Sequence, residues 1–160
     1  MIDPSGTQKV YDKIQSVLKE KNKQLSAVFF THGHFDHIAL GYKFEGVVPI
    51  YIHKLDNLML TTTDNYGEFF GYNIKPFKAD NNLNGGEEIE IDGVKIKVLH
   101  TPGHSQGSVC YIIENCIFSG DTLFRKSIGR TDLGGGSSLD MTKSLNTLFS
   151  LKGDYTVYPG

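Results

Sequence analysis

Thr31-His32-Gly33-His34-Phe35-Asp36-His37 puts three imidazoles and one carboxylate within six residues. Phe35 is the only large apolar side chain among them, so packing does not account for the stretch. The residues leading into it, Leu25-Ser26-Ala27-Val28-Phe29-Phe30-Thr31, form a short apolar run rich in β-formers and predict a buried strand over 25–31. That strand delivers the histidines to a loop at its C-terminal end, where α/β folds place their chemistry. Neutral imidazole and carboxylate bind zinc at about 2.0–2.2 Å. In an extended loop His32 and His34 point the same way, and Asp36 and His37 face a second point once the chain turns. The spacing therefore predicts two adjacent metals. The competing reading is a polar loop with chance histidines.

The chain of 160 residues predicts a single domain, 1–160, large enough for a core of its own. Its 39% hydrophobic and 21% charged content is that of a globular protein in water. A net charge of −2 with no basic run argues against nucleic-acid partners. No apolar stretch approaches the ~20 residues of a membrane helix. Met1-Ile2-Asp3-Pro4-Ser5-Gly6 has neither the basic nor the apolar region of a signal peptide. Cys110 and Cys116 flank a turn at Glu114-Asn115; with Ile113 opposite Cys116, Cys110 faces the other way and no disulfide is expected. A cytoplasmic monomer acting on a small molecule, with no membrane partner, is the expectation.

Taken in order, Asp3-Pro4-Ser5-Gly6 is turn chemistry. Thr7 can cap a helix in which Val10, Ile14, Val17 and Leu18 recur at helical spacing, ending near Asn22. After the histidine loop, Asp36 to Phe44 predicts a helix, and Val47 to Ile52 a strand in which Pro49 marks an edge or a start. Helix, strand, helix, strand predicts parallel pairing through crossovers. Residues 54–84 carry little signal beyond an aromatic cluster, Tyr66, Phe69, Phe70 and Tyr72, which reads as core cover in preference to a cleft wall. From Glu87 the apolar period becomes two. Ile89, Ile91, Val94, Ile96 and Val98 flank Asp92-Gly93, a hairpin with a type I′ turn. A second hairpin spans Ser108 to Ser119, a helix covers 139–151, and Thr156-Val157-Tyr158 starts a last strand.

Thr-His-Gly-His-Phe-Asp-His at 31–37, Thr-Pro-Gly-His-Ser at 101–105 and Ser-Gly-Asp-Thr-Leu-Phe at 119–124 resemble, in order and spacing, the metallo-β-lactamase superfamily and within it the glyoxalase II-like (hydroxyacylglutathione hydrolase) group. The resemblance spans essentially the whole chain. It implies an α/β fold, the four-layer αβ/βα sandwich of two sheets face to face with helices outside. It implies that His32, His34 and His104 bind a first metal, that Asp36 and His37 bind a second, and that Asp121 bridges the two. Asp36 and Asp121 are the implied catalytic carboxylates. Zinc is the expected metal, two ions per complete site, with iron or manganese as substitutes. Arg130, nine residues beyond Asp121, stands where the group places a basic residue for a substrate carboxylate, although a surface pair with Asp132 explains it equally.

Two metals about 3.5–4 Å apart share a water and lower its pKa towards 7. The resulting hydroxide attacks an acyl carbon, and a thiolate leaves without a strong protein acid. The implied activity is zinc-dependent hydrolysis of a small acyl thioester of the hydroxyacyl-glutathione type. Thr31, Thr122 and His100 are candidates for orienting ligands, although Pro102 and Gly103 rule out a helical pair of His100 with His104 and favour an ordinary polar residue there; His53 reads as one too. One alternative is a mononuclear iron persulfide dioxygenase of the same superfamily, with His34, His104 and Asp121 as its facial triad. Another is an inactive form: the family pattern has a strand hairpin ahead of Asp3 and a histidine after Tyr158-Pro159-Gly160, and by that measure the chain is expected to be truncated at both ends, with a weaker second metal.

Overall fold

The computed structural model describes residues 1–160. Helix α1 (Gln8–Glu20) precedes strand β1 (Val28–Phe29), the single-turn helix α2 (Phe35–Ile38) and strand β2 (Ile50–His53). Three 3-10 turns, Asn57–Leu60, Thr63–Asn65 and Glu68–Phe70, lead to β3 (Asn81–Leu83). Strands β4 (Glu88–Ile91), β5 (Val94–His100), β6 (Val109–Ile113) and β7 (Cys116–Gly120) follow, then α3 (Ser138–Phe149) and β8 (Thr156–Pro159).

The strands make two sheets, β1-β2-β3 all parallel and β4-β5-β6-β7-β8, antiparallel except for the β7–β8 pair. Alternation along each strand builds three apolar layers. Ala27, Phe29 and Leu83 of the first sheet meet Ile96, Val98, Val109 and Tyr111 of the second. Val28, Phe30, Ile50 and Ile52 point the other way, into a core closed by Ile38, Leu40, Phe44 and Phe77, with Tyr11 and Ile14 of α1 packed on it. Cys110, Ile112 and Ile117 turn outward from the second sheet against Leu148 of α3. The result is the αβ/βα sandwich that the resemblance implied. No helix is long and apolar enough to cross a membrane.

The two hairpins form as read. Asp92 and Gly93 both take positive φ (51° and 80°), as a type I′ turn requires, and Ile113 pairs with Cys116. Elsewhere the elements are shorter than the patterns suggested. The strand expected over 25–31 pairs only at Val28–Phe29, because the backbone N–H of Thr31 donates to the Asp3 carboxylate at 2.7 Å and not to a neighbouring strand. The helix expected over 36–44 stops after Ile38, since the Leu40 N–H is drawn to the carbonyl of Pro4 at 3.2 Å and a 3-10 turn follows at Gly41–Lys43. In α1 the half-buried stripe is Tyr11, Ile14 and Leu18; Val10 and Val17 are exposed, as Tyr11 reaches Phe44 with ring centroids 5.8 Å apart. Strand β2 starts at Ile50, directly after Pro49, which has no N–H to donate. Strand β3 had no local signal: it is built on Asn81 and Asn82, and Asp80 fixes it by accepting the Ile50 N–H at 2.8 Å.

The sheets are locked together at one end. Tyr111 Oη donates to the Phe30 carbonyl at 2.7 Å, and the Val109 N–H donates to the Thr31 carbonyl at 2.8 Å. Helix α3 holds the loop after β5: the Ser137 N–H and Ser144 Oγ donate to the carbonyls of Gly103 and Pro102 at 2.8 and 2.7 Å. The histidine-bearing loops of both sheets therefore meet at that end with little freedom.

Candidate metal centre

Four segments bring ligands to this end: the loop after β1, the first turn of α2, the loop between β5 and β6, and the residue after β7. One ligand nitrogen from each of His32, His34 and His104 lies within 4.8 Å of the others. Ligand atoms of His32, His37 and Asp121 make a second group on the same criterion. His34 Nδ1 and His104 Nε2 are 2.8 Å apart, His37 Nε2 is 3.1 Å from Asp121 Oδ1, and His104 Nε2 is 3.5 Å from Asp121 Oδ2. All four imidazoles are buried. Five of the six residues expected as ligands thus converge. Asp36 does not join either group: it is exposed on α2, at the rim of the cavities that also border His37 and Asp121.

The rings are oriented from behind. His104 Nδ1 donates to the Arg130 carbonyl at 2.8 Å, which leaves Nε2 as the free nitrogen facing the group. Thr31 Oγ1 sits 3.1 Å from His32 Nδ1 and itself donates to Asp3 at 2.7 Å. Asp3 also accepts from His37 Nδ1 at 2.8 Å. Asp3 takes a positive φ of 45°, and Gly120, at φ 47°, passes so close that a Cβ there would lie 2.3 Å from Thr31 Oγ1. Beneath the first group lies Asp56, almost fully buried. Its carboxylate accepts from the Gly33 N–H at 3.1 Å, Ser105 Oγ at 2.6 Å and the Gly107 N–H at 2.7 Å. One side chain so ties the His32–His34 loop to the His104 loop.

These surroundings set the protonation states. Burial first, then the neighbouring histidines, push His32 well below its ordinary value, and burial with His104 and His37 takes His34 down to about 3. Both are neutral donors near pH 7. Burial also opposes charge on His37, but Asp121 and Asp3 on its two ring nitrogens outweigh it and raise the pKa to about 10. Burial would raise Asp121, yet its bond to His37 keeps it below the usual carboxylate range. His32 Nε2 and His34 Nε2 are buried with no hydrogen-bond partner. Orphaned ring nitrogens inside a cluster of neutral imidazoles are costly unless something accepts their lone pairs. The residues present fit a cation: nitrogen donors for one ion, mixed nitrogen and carboxylate for a second, a set that suits zinc, iron or manganese.

Other expected residues take different places. Arg130 contributes its backbone to His104, and its guanidinium is forked onto Asp132, Nε to Oδ1 at 2.7 Å and an Nη to Oδ2 at 3.0 Å, in solvent. Thr122 bonds Thr101 at 3.1 Å and touches no histidine. His100 bonds the Gln106 carbonyl and stacks on His53 at 4.2 Å, so neither of these two histidines reaches the site.

Two residues that local sequence gave no reason to select, Asp3 and Asp56, support the site, and Tyr66 of the aromatic cluster joins them at its wall. The tyrosine lies edge-on to His34, 5.4 Å between centroids, and holds a left-handed backbone at φ 64°. For a bulky residue that conformation costs about 1–2 kcal/mol. It is held by Asn65, whose side chain accepts the Gly67 N–H at 2.8 Å and donates to the carbonyls of Met59 and Thr62. Tyr66 and Phe70 line a cavity of about 290 Å³ with His34, His104 and Asp121 at its base. For these two aromatics the cleft-wall reading displaces that of core cover.

Comparison with known proteins agrees with this geometry. The family described as the metallo-beta-lactamase superfamily matches residues 1–160. A Bacillus subtilis (strain 168) protein named "Probable metallo-hydrolase YqgX" is 34% identical over 152 residues, covering 91% of this chain and 71% of that protein. Among solved structures, the BLEG-1 B3 metallo-beta-lactamase superposes with a TM-score of 0.91 at 32% identity, covering 99% of this chain and 78% of that one. TTHA1623 in a di-iron-bound form superposes with a TM-score of 0.86 at 33% identity, covering 99% and 79%.

Proposed function

This chain belongs to the metallo-beta-lactamase superfamily, and from that premise we propose that it is a metal-dependent hydrolase cleaving a small acyl thioester. The observation that carries the proposal is the convergence of two ligand groups on His32, whose Nε2 is buried with no hydrogen-bond partner. In this reading His32, His34 and His104 hold one cation. His37 and Asp121 would hold a second with His32 beside them, Asp121 being shared, while Asp36 stands at the rim outside the ligand set. A cation bound there supplies Lewis acidity, which acidifies water and polarises an acyl oxygen.

The chain's own residues do the rest. Asp3 fixes the tautomer and direction of His37 by accepting from Nδ1. The Arg130 carbonyl does the same for His104. Asp121, ionised beside His37, orients attacking water, and Asp36, exposed at the rim, takes up the proton released on attack. Hydrolysis forms a C–O bond to water and breaks the C–S bond; the electron pair leaves on sulfur and the proton reaches the thiolate. A thiolate is a good leaving group, so no strong acid is needed, and none stands within the base of the cavity. Zinc is the metal favoured by the donor set; iron stays a candidate because a structural relative is described as di-iron-bound. A monomeric, cytoplasmic enzyme remains part of the proposal.

The test is metal content of the protein purified without added metal, with thioester hydrolysis by the parent and by Asp121→Ala. Zinc, with hydrolysis lost by about a hundredfold or more in a folded Asp121→Ala, is the expected result. One iron per chain with oxygen uptake on a persulfide would replace this reading by the dioxygenase one. Undiminished hydrolysis in Asp121→Ala would refute the assigned role.

A further inference from the structure

The geometry points to a substrate whose acyl group is neutral and aromatic or bulky apolar, seated against an aromatic wall beside the metal centre; this rests on the hydrolase reading above. The wall begins inside the ligand motif itself. Phe35, between His34 and Asp36, stacks on Phe70 at 5.0–5.3 Å together with Tyr72: the centroid distances are 5.3 Å to Phe70 and 5.0 Å to Tyr72, at 25° and 26° between planes. Of these rings Phe35 and Phe70 line the recess, and Phe70 is 43% exposed; Tyr72, 58% exposed, backs Phe35 from outside it. Exposed stacked rings forgo burial that a ligand could provide. Tyr66 closes the other side in its left-handed conformation, its hydroxyl beside Gly134, where an added Cβ would lie 2.4 Å away.

Size and charge narrow the substrate further. At about 290 Å³ the cavity is at the lower limit of ligand pockets, with room for an acyl group carrying one ring. A glutathione carrier brings two carboxylates and an amine on a peptide chain. The cation that borders the cavity is Arg130, and its fork is already spent on Asp132. Asp36 and Asp121 are offset by the cations that the hydrolase reading places beside them, so the missing partner for the carrier's carboxylates is the cost that remains. An uncharged carrier with an apolar acyl group does not meet that cost.

The decisive comparison uses three thioesters with the metal-loaded protein: phenylacetyl-N-acetylcysteamine, lactoyl-N-acetylcysteamine and S-lactoylglutathione. The expected kcat/KM of the phenylacetyl ester exceeds that of the lactoyl ester by at least about tenfold, with no advantage for glutathione over N-acetylcysteamine. Phe70→Ala, a change at an exposed residue, should lower the phenylacetyl-to-lactoyl ratio about tenfold, mostly through KM. A tenfold preference for S-lactoylglutathione, or a ratio unmoved by Phe70→Ala, overturns the proposal. Binding separates this proposal from the hydrolase reading. Phenylacetohydroxamate should bind the metal-loaded protein about tenfold more tightly than acetohydroxamate, measured calorimetrically. If no thioester is cleaved but this difference is found, the hydrolase reading fails and the aromatic recess stands. Equal affinity of the two hydroxamates refutes the recess.

Discussion

His32, His34 and His104 are held by neutral contacts and by backbone, whereas His37 and Asp121 are held by charge. In the first group all three rings are buried, burial holds His32 and His34 uncharged, and the spacing is set by two loops that Asp56 clamps through Gly33, Ser105 and Gly107. In the second, Asp3, His37 and Asp121 form a line of alternating carboxylate and imidazole, 2.8 and 3.1 Å apart. A cation entering the first group takes the place of the His34 Nδ1–His104 Nε2 hydrogen bond; one entering the second competes with the proton that Asp3 and Asp121 stabilise on His37. The difference teaches that one cluster of like residues can contain a rigid neutral cradle and a charge-tuned partner, each with its own supporting aspartate.

The largest expected effect comes from removing the clamp. Asp56→Ala leaves two buried N–H groups and a hydroxyl without their acceptor, and each such group costs about 1–3 kcal/mol. Urea unfolding should show a loss of about 3 kcal/mol or more, and cobalt titration should show first-group affinity down by about 10–100-fold. An unchanged midpoint together with unchanged affinity would dissolve the contrast between the groups.

Asp3→Ala should act more locally. Affinity of the second group falls about 10–100-fold while the first group keeps its own, as read by stepwise zinc calorimetry. Equal weakening of both would mean that the cluster is a single unit and that Asp3 supports all of it through Thr31.

Asp132→Ala sharpens the picture at the rim. The pair with Arg130 is exposed and screened, so the unfolding midpoint should not move. Freeing the guanidinium fork should nevertheless raise the rate on S-lactoylglutathione severalfold relative to its N-acetylcysteamine analogue. No change in that ratio would remove Arg130 from any account of selectivity.

The smallest effect concerns the stacked pair outside the site, His53 and His100. Burial, partly opposed by the bond to the Asn84 carbonyl and reinforced by His100, lowers the His53 pKa. A histidine depressed in the folded state contributes no penalty above its unfolded value of about 6.5. Below that, the unfolded chain binds a proton that the folded chain refuses, so stability declines as pH falls from about 6.5. His53→Gln should flatten that part of the stability profile; an identical slope in the variant would place the acid sensitivity elsewhere.

The histidine cluster at 32–37, both hairpins and a helix over 139–151, found at Ser138–Phe149, could be read from the chain because each depends on near neighbours: a motif of six residues, a period of two around Asp92-Gly93, a period near 3.6; His104 and Asp121 are picked out by the resemblance. The layer order came from resemblance and not from these patterns. Tertiary structure alone decided the short β3, the early end of α2 and the supporting residues. Asp3 reaches His37 across 34 positions, and Asp56 reaches Gly107 across 51. Asp56 lies between Leu55 and Asn57 with nothing local to mark it. Its role exists only because β1, β2 and the β5–β6 connection end side by side. A buried carboxylate acquires its donors from whatever backbone the fold brings there, and no local pattern encodes that meeting.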